Sequence, residues 1–399
     1  MGGGGVMAHE KTYAIFSAQY PPHMGGIETF TQSISRSLAD LGNKVLVVTN
    51  DTEGLGAGIT YEEGVEVVRL PCFPLISGRF PLAKHSSSYR VLLKDLNERH
   101  LDGVLINARF YFHSLLGMRI ARRHGLRPVV LDHGSAGLSF SNPILDPIVR
   151  LYERSLTAIG KAKYDPAYYG ISKKSSEWLK TFGIESRGEI TNSIDAAQFR
   201  ALSSGRDFRD ELDLGNAFLV AFVGRLIPEK GVSALIEASK SDELKQRNVV
   251  FLLAGDGPLA GAVDAAQGES LRWLGRLDRP DISALLQQAD VLCLPTRSEG
   301  FSTTLLEASA CGCPSIVTDV GGARELIPSG EFGLIIESRD SSALIKSVEQ
   351  IADNLELRKT QSTNCRLLCE NGYSWRESAK LAVESLERAS AGLGHYLSE

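Results

Sequence analysis

Residues 291–318 read VLCLPTRSEGFSTTLLEASACGCPSIVT, and this stretch decides the fold. Val291–Leu294 is a short apolar run of strand length. Thr296–Ser302 is polar and Gly-containing, so it reads as a loop. Leu305, Leu306, Ala308 and Ala310 then give a helix over Thr304–Ala310, apolar enough to be buried. Gly312 and Pro314 stop it, and Ser315–Thr318 is strand again. A strand, a helix and a strand in immediate succession make a parallel crossover unit.

Outward from this unit the alternation continues. In the second half the strands are expected at Phe218–Val223, Val249–Ala254, Arg272–Leu274 and Gly333–Ile336. Helices are expected at Val232–Ser239, Ile282–Gln288 and Ser342–Asn354. In the first half the strands are Thr12–Ser17, Lys44–Thr49, Gly64–Leu70, Gly103–Asn107 and Val129–Asp132. Its helices are about Ile27–Gly42, Ser88–Arg99 and Ser114–His124. The fold class is therefore α/β, with two doubly wound parallel sheets covered on both faces. A chain of 399 residues suits two domains at about 100–200 residues each. The expected division is 1–192, then 193–374, then a last helix in 375–399 with no strand after it. Residues 1–10 read as a flexible leader without the apolar segment of a secretory signal.

Composition narrows the function classes. The chain is 43% hydrophobic and 23% charged, too apolar for a disordered protein. No apolar run approaches the roughly 18 residues of a membrane helix. Six cysteines in this length fit a reducing compartment. The net charge of −5 hides an asymmetry: residues 1–190 carry +4 and residues 191–399 carry −9. Arg119, Arg122, Arg123, His124 and Arg127 cluster in the basic half. They read as a solvated helix face or as a surface for an anionic acceptor or lipid. Aromatic side chains are not interleaved there, so no nucleic-acid partner is expected. Cys311, Cys313, Cys365 and Cys369 lack the further ligands of a zinc site.

Ligands of open α/β sheets bind beyond the carboxyl ends of the strands. Three such loops stand out. Gln19–Glu28 follows the first strand, and Gly25 and Gly26 in it would present backbone N–H groups at a helix start, where anions bind. Gly224–Gly231, GRLIPEKG, brings Arg225 and Lys230 close in sequence, a fork and a point charge suited to a diphosphate. Thr296–Cys313 supplies Glu299 and Glu307, eight residues apart, flanking Gly300, Phe301, Ser302 and Thr303 at a helix N-terminus. Carboxylates are poor ligands for phosphate but good acceptors for sugar and ribose hydroxyls.

The ordered set Gly25-Gly26, Arg225, Lys230 and Glu299-x7-Glu307 resembles the retaining GT-B glycosyltransferases of the GT4 type. Asn192-Ser193-Ile194-Asp195, Gly255-Asp256-Gly257-Pro258 and Gly321-Gly322 before Glu325 extend the resemblance over nearly the whole chain. It implies a GT-B fold, two Rossmann-like domains facing across a cleft, with the C-terminal helix crossing back to the N-terminal domain. The first domain would then be the acceptor side and the second the nucleotide-sugar side. The resemblance also implies roles. Arg225 and Lys230 would hold the donor diphosphate, Glu307 the ribose, and Glu299 the transferred sugar. Gly300, Phe301, Ser302 and Thr303 would face sugar and phosphates. Gly25 and Gly26 would line the phosphate side, and Arg276 and Leu277 would frame the base. His133, in Leu131-Asp132-His133-Gly134, matches a strand-end histidine that contacts the sugar, which leaves Asp132 without a role.

The implied reaction is retaining transfer of a hexose-type sugar from a nucleoside diphosphate. A UDP-sugar is the first expectation and GDP-mannose the second. The acceptor would be a glycan, a lipid-linked sugar or a small molecule, with Pro71–His85 and Gly134–Pro143 as acceptor loops. No D-x-D motif occurs, so neither a metal nor another cofactor is expected. A nucleotide-sugar epimerase on the same fold is the alternative. The protein is expected in the cytoplasm, with peripheral contact at the inner face of a membrane through its N-terminal domain. Gly255–Gly261 follows a strand but lacks the spacing and the acidic partner of a dinucleotide fingerprint.

Overall fold

A computed structural model of the chain describes residues 10–23, 25–76, 78–137 and 145–391. The leader 1–9 and residues 138–143 of the expected acceptor loop Gly134–Pro143 lie outside the described residues. The chain forms two compact units, one of residues 1–190 with 375–399 and the other of residues 191–374.

The first unit contains β1 (Thr12–Phe16), β2 (Lys44–Asn50), β3 (Gly58–Glu62), β4 (Val65–Leu70), β5 (Cys72–Leu75), β6 (Phe80–Ala83), β7 (Gly103–Asn107), β8 (Val129–Asp132) and β9 (Ala167–Gly170). Among the described residues seven of these form one sheet in the order β3-β4-β2-β1-β7-β8-β9. Its pairs are parallel except β3 on β4, with Thr12 opposite Lys44 and Tyr13 opposite Gly103 setting the central register. Strands β1, β7 and β8 are buried along almost their whole length, as helices on both faces require. The helix Trp375–Ala391 packs on the helix Gly26–Asp40 and on β7. It lies so close that a Cβ on Gly103 would sit 3.1 Å from Leu386, which explains a glycine at the start of a central strand.

The second unit contains β10 (Phe218–Val223), β11 (Val249–Ala254), β12 (Leu271–Gly275), β13 (Val291–Leu294), β14 (Ser315–Thr318) and β15 (Leu334–Ile336). Their order is β12-β11-β10-β13-β14-β15, parallel throughout. Counted within the unit this is 3-2-1-4-5-6, the dinucleotide-fold order. Strand order reverses beside β1 and β7 in one unit and beside β10 and β13 in the other. Crossover helices diverge at such points and leave a crevice at the strand ends.

Every expected strand is present, most within a residue or two. Several elements were not expected. The pair β5–β6, the strand β9 and the helices Leu145–Tyr164, Lys173–Lys180 and Leu355–Gly372 all add to the expected set.

Candidate functional site

The loops after β10 and β13 meet at the switch point of the second unit. Pro228–Lys230 forms a single tight turn ending at Gly231, whose φ of +73° favours glycine. A Cβ there would also lie 2.4 Å from the Pro295 carbonyl oxygen, so the two loops touch. The Arg297 N–H donates to the Glu229 carbonyl at 2.7 Å, and the Thr296 hydroxyl donates to the Ser298 carbonyl at 3.1 Å. This stitching carries the Lys230 ammonium into an ion pair with the Glu299 carboxylate, both side chains mostly buried. Arg225, one residue past Gly224, is exposed at the end of β10.

The loop Glu299–Ser302 is backed from below. Gly321 has φ +51°, and a Cβ on it would stand 2.5 Å from the Gly300 carbonyl oxygen. A Cβ on Gly322 would meet the Phe301 ring at 2.4 Å. The ring is buried against Tyr373, 5.7 Å between centroids, and Asn192 Nδ2 donates to the Phe301 carbonyl at 3.4 Å. The sequence singled out Asn192, Gly321 and Gly322 without giving them work. Their work is to support this loop.

The helix Thr303–Cys311 begins at the loop's end, and Ser302 caps it by accepting the Leu305 N–H at 3.3 Å. The Ser302 hydroxyl is thus engaged locally. This helix starts four residues after Glu299, the partner of Lys230. Glu307 lies a turn further on, mostly buried, with Arg279 Nε 3.5 Å from its Oε1. Arg279 is a site residue the sequence reading missed, because it starts a helix 28 positions before its partner. Its neighbours Arg276 and Leu277, expected to frame the base, end the loop after β12, Arg276 exposed and Leu277 half-buried. A groove of about 650 Å³ opens beside these loops at the ends of β13, β14 and β15, lined in part by Thr296, Arg297, Asp319 and Arg339. It adjoins Gly231 but does not include Lys230, Glu299 or Glu307.

Burial pushes the Glu307 carboxyl up to about 7, and Arg279 pulls the other way. The folded chain therefore keeps a proton that the unfolded chain releases near its ordinary value of 4.5. The stabilising contribution is full below about 4.5 and is lost as pH rises through about 7. Glu307→Gln should remove this slope. Unfolding in urea at about pH 5 and pH 8 should show the variant gaining on the parent by roughly 2 to 3 kcal/mol across that span. Equal slopes for the two proteins would refute it.

The first unit's candidates are held differently. Gly25 precedes the helix Gly26–Asp40, but the Glu28 carboxylate folds back beside it. A Cβ on Gly25 would lie 2.3 Å from Glu28 Oε2. Glu28 is the third residue of that helix, the position from which an acid reaches back over a helix start. The helix end expected to await an anion thus carries the protein's own carboxylate, and burial raises its pKa. Gly26 remains open, with nothing near its Cβ position.

His133 follows β8. Its Nε2 lies 3.0 Å from Asn107 Oδ1, Asn107 Nδ2 donates to Thr31 Oγ1 at 2.8 Å, and Thr31 donates to the Ile27 carbonyl at 2.7 Å. With the Thr31 proton committed to Ile27, Asn107 must present its amide nitrogen to Thr31 and its oxygen to the ring. His133 Nε2 then carries the proton, which makes Nδ1 the acceptor nitrogen. Burial holds the imidazole down to about 3, so it is neutral. Asp132 also gains a role. It accepts from Arg109 at 2.5 Å, and Arg109 also pairs with Glu153, all three wholly buried.

Comparison with known proteins places this arrangement. The profile of the family "Glycosyltransferase Family 4" matches residues 24–196, and that of "Glycosyl transferases group 1" matches residues 205–367. The chain is a GT4-type glycosyltransferase. The glycosyltransferase is 23% identical to an uncharacterized glycosyltransferase of Methanocaldococcus jannaschii, over 94% of this chain and 97% of the relative. It is 24% identical to the GPI3 subunit of phosphatidylinositol N-acetylglucosaminyltransferase of Saccharomyces cerevisiae, over 91% of this chain and 80% of that one. It has the GT-B fold, as in the structure of Anabaena HepE in complex with UDP-glucose. That structure aligns with a TM-score of 0.69 at 18% identity over 95% of this chain and all of the other. The matched regions contain every strand-end loop singled out above except the start of the first. The basic cluster of the glycosyltransferase's first unit proves largely engaged. Arg123 donates to Asn97, Arg127 pairs with Asp165, and His124 lies 3.3 Å from the Leu96 carbonyl.

Proposed function

We propose that this glycosyltransferase moves a hexose-type sugar, with retention, from a nucleoside diphosphate to a lipid-linked or glycan acceptor. The observation that carries the donor half is the Lys230–Glu299 pair beside an exposed Arg225 and a helix start at the β10/β13 switch point. The leaving diphosphate gains negative charge as the glycosidic bond breaks. Fixed cations and helix N–H groups at that place stabilise the charge more in the transition state than before it. Arg225 and Lys230 take the diphosphate in this reading, and Thr303 with Gly300 and Phe301 supplies backbone donors. Glu299 and Glu307 take hydroxyls of the sugar and the ribose, and Arg276 and Leu277 frame the base. Gly25, Gly26 and the neutral His133 are the first unit's candidates for contacts with phosphate and sugar.

UDP is the favoured nucleotide and GDP the second. The UDP-glucose complex of HepE, on the same fold, supports that order. The acceptor reading draws on the GPI3 relative, whose name specifies a phosphatidylinositol. In this reading Arg225 and Lys230 meet the diphosphate without a bridging metal ion.

Thermal shift with a panel of nucleotide sugars tests the proposal. A donor at about 100 times its Kd should stabilise the protein by roughly 2.7 kcal/mol through mass action. A UDP-sugar should give the largest rise in melting temperature, unchanged by EDTA and absent in Lys230→Ala. No rise with any nucleotide sugar would refute the proposal. Epimerisation of the donor without acceptor would replace transfer by isomerisation.

A further inference from the structure

The first unit exposes an apolar face, part of it on the hairpin within the Pro71–His85 segment expected to meet the acceptor. In the hairpin β5–β6, Phe73 stands opposite Leu82 and Leu75 opposite Phe80, so all four share one face. Phe80 turns this face onto two neighbours. Its ring lies 5.9 Å from Tyr111, at the start of the helix Phe112–Arg123, and 5.9 Å from Tyr152 in the helix Leu145–Tyr164. Phe112 and Tyr152 are also 5.9 Å apart. Three elements thus converge on one aromatic cluster. Around it large apolar side chains stay in solvent: Phe73 is 52% exposed, Phe112 50%, Ile148 62% and Leu151 67%, with Leu75 also exposed. Single exposed apolar residues need no explanation, but a contiguous group does.

Charge says what covers it. No Asp or Glu occurs from Val67 to Lys94, from Gly103 to Leu131, or from Arg154 to Tyr164. The acids in the remaining part of the long helix are Asp146, half-buried, and Glu153, wholly buried against Arg109. The cations Arg79, Lys84, Arg150 and Arg154 are all exposed. A protein partner would need an acidic rim and a matching apolar core. An anionic bilayer supplies both without shape complementarity, and helices with cations beside exposed Ile and Leu lie in such interfaces.

We infer that this face, the β5–β6 hairpin with Phe112, Ile148 and Leu151, seats the protein on an anionic lipid surface. The inference goes beyond the transfer reaction and makes a lipid-linked acceptor accessible without a membrane-spanning segment. Among the described residues no helix is long and apolar enough to cross a membrane.

Cosedimentation of the full chain with vesicles tests it. The chain should bind phosphatidylcholine vesicles containing about one third phosphatidylglycerol and bind pure phosphatidylcholine far less, with binding weakened by salt. The double variant I148E/L151E should lose at least about tenfold in binding, since each change sets a charge into the apolar layer. The hairpin variant F73S/L82S should lose binding independently. Both should keep the melting temperature and the nucleotide-sugar thermal shift of the parent, which separates this test from that of the donor site. No binding to anionic vesicles, or parental binding by folded forms of both variants, would overturn the inference. So would a dimer of the parent that I148E/L151E dissociates while vesicle binding stays absent.

Discussion

Lys230→Ala should lower the transfer rate by about two to three orders of magnitude while leaving the fold intact. The ammonium is held at the switch point by its pair with Glu299, and the loop carrying it is fixed by Gly231 and by the Arg297 N–H bond to Glu229. Its removal takes away a preorganised charge and leaves the Glu299 carboxylate facing an incoming diphosphate, so repulsion adds to the loss. The pair is partly solvated, and such pairs add little to stability, so the melting temperature should move by no more than a few degrees. Glu299→Ala should also cut the rate, through lost hold on the sugar, but should let Lys230 still engage phosphate. Steady-state kinetics with the donor identified by thermal shift decides this. Near-normal rates in both variants would remove Lys230 and Glu299 from the site.

Arg109→Ala carries the second large effect, on stability. Arg109 is buried between Asp132 and Glu153, and its guanidinium lies 4.1 Å from the centre of the Phe182 ring. Burial raises the Asp132 carboxyl to about 6 even with Arg109 drawing it down. Without the arginine two buried carboxylates would face each other, and breaking a buried ionic group in this way costs about 3–5 kcal/mol. Urea unfolding should show that loss for Arg109→Ala, with most of it restored in R109M/D132N/E153Q, where no charge remains unpaired. A loss under about 1 kcal/mol for the single variant would show that water or other groups replace the arginine.

The strands that position the candidate site were legible because they are wholly buried. Runs such as Phe218–Val223 and Val249–Ala254 have no polar residue to confuse the period, and glycine or proline marks their ends. The hairpin β5–β6 was illegible for the opposite reason. Pro74 and Pro81 stand opposite each other in it, and proline within a run argues against a strand. The helix Leu355–Gly372 buries only Gln361, Cys365 and Cys369 among its eighteen residues, so it leaves no apolar stripe to read. In the site, Lys230 and Glu299 were legible as loop residues of the right chemistry. Their pairing was not, nor was that of Arg279 with Glu307, because partners far apart in sequence meet only through the sheet order. At Gly25 and Gly26 one neighbour escaped the sequence reading. Glu28 was read as the end of the loop, whereas it is the acid that folds over the helix start.

The first unit is assembled from two separated stretches of chain. The helix Trp375–Ala391, which lies against the Gly26–Asp40 helix and β7, follows the whole second unit in sequence. On the ribosome, residues 191–374 therefore emerge and can fold before the unit that begins the chain is complete. Until then the apolar surface around Phe30 and Gly103 lacks its cover, since Trp375 and Leu386 supply it. The nascent protein thus carries an unfinished first half through most of its synthesis, an interval in which holding chaperones have a defined patch to occupy.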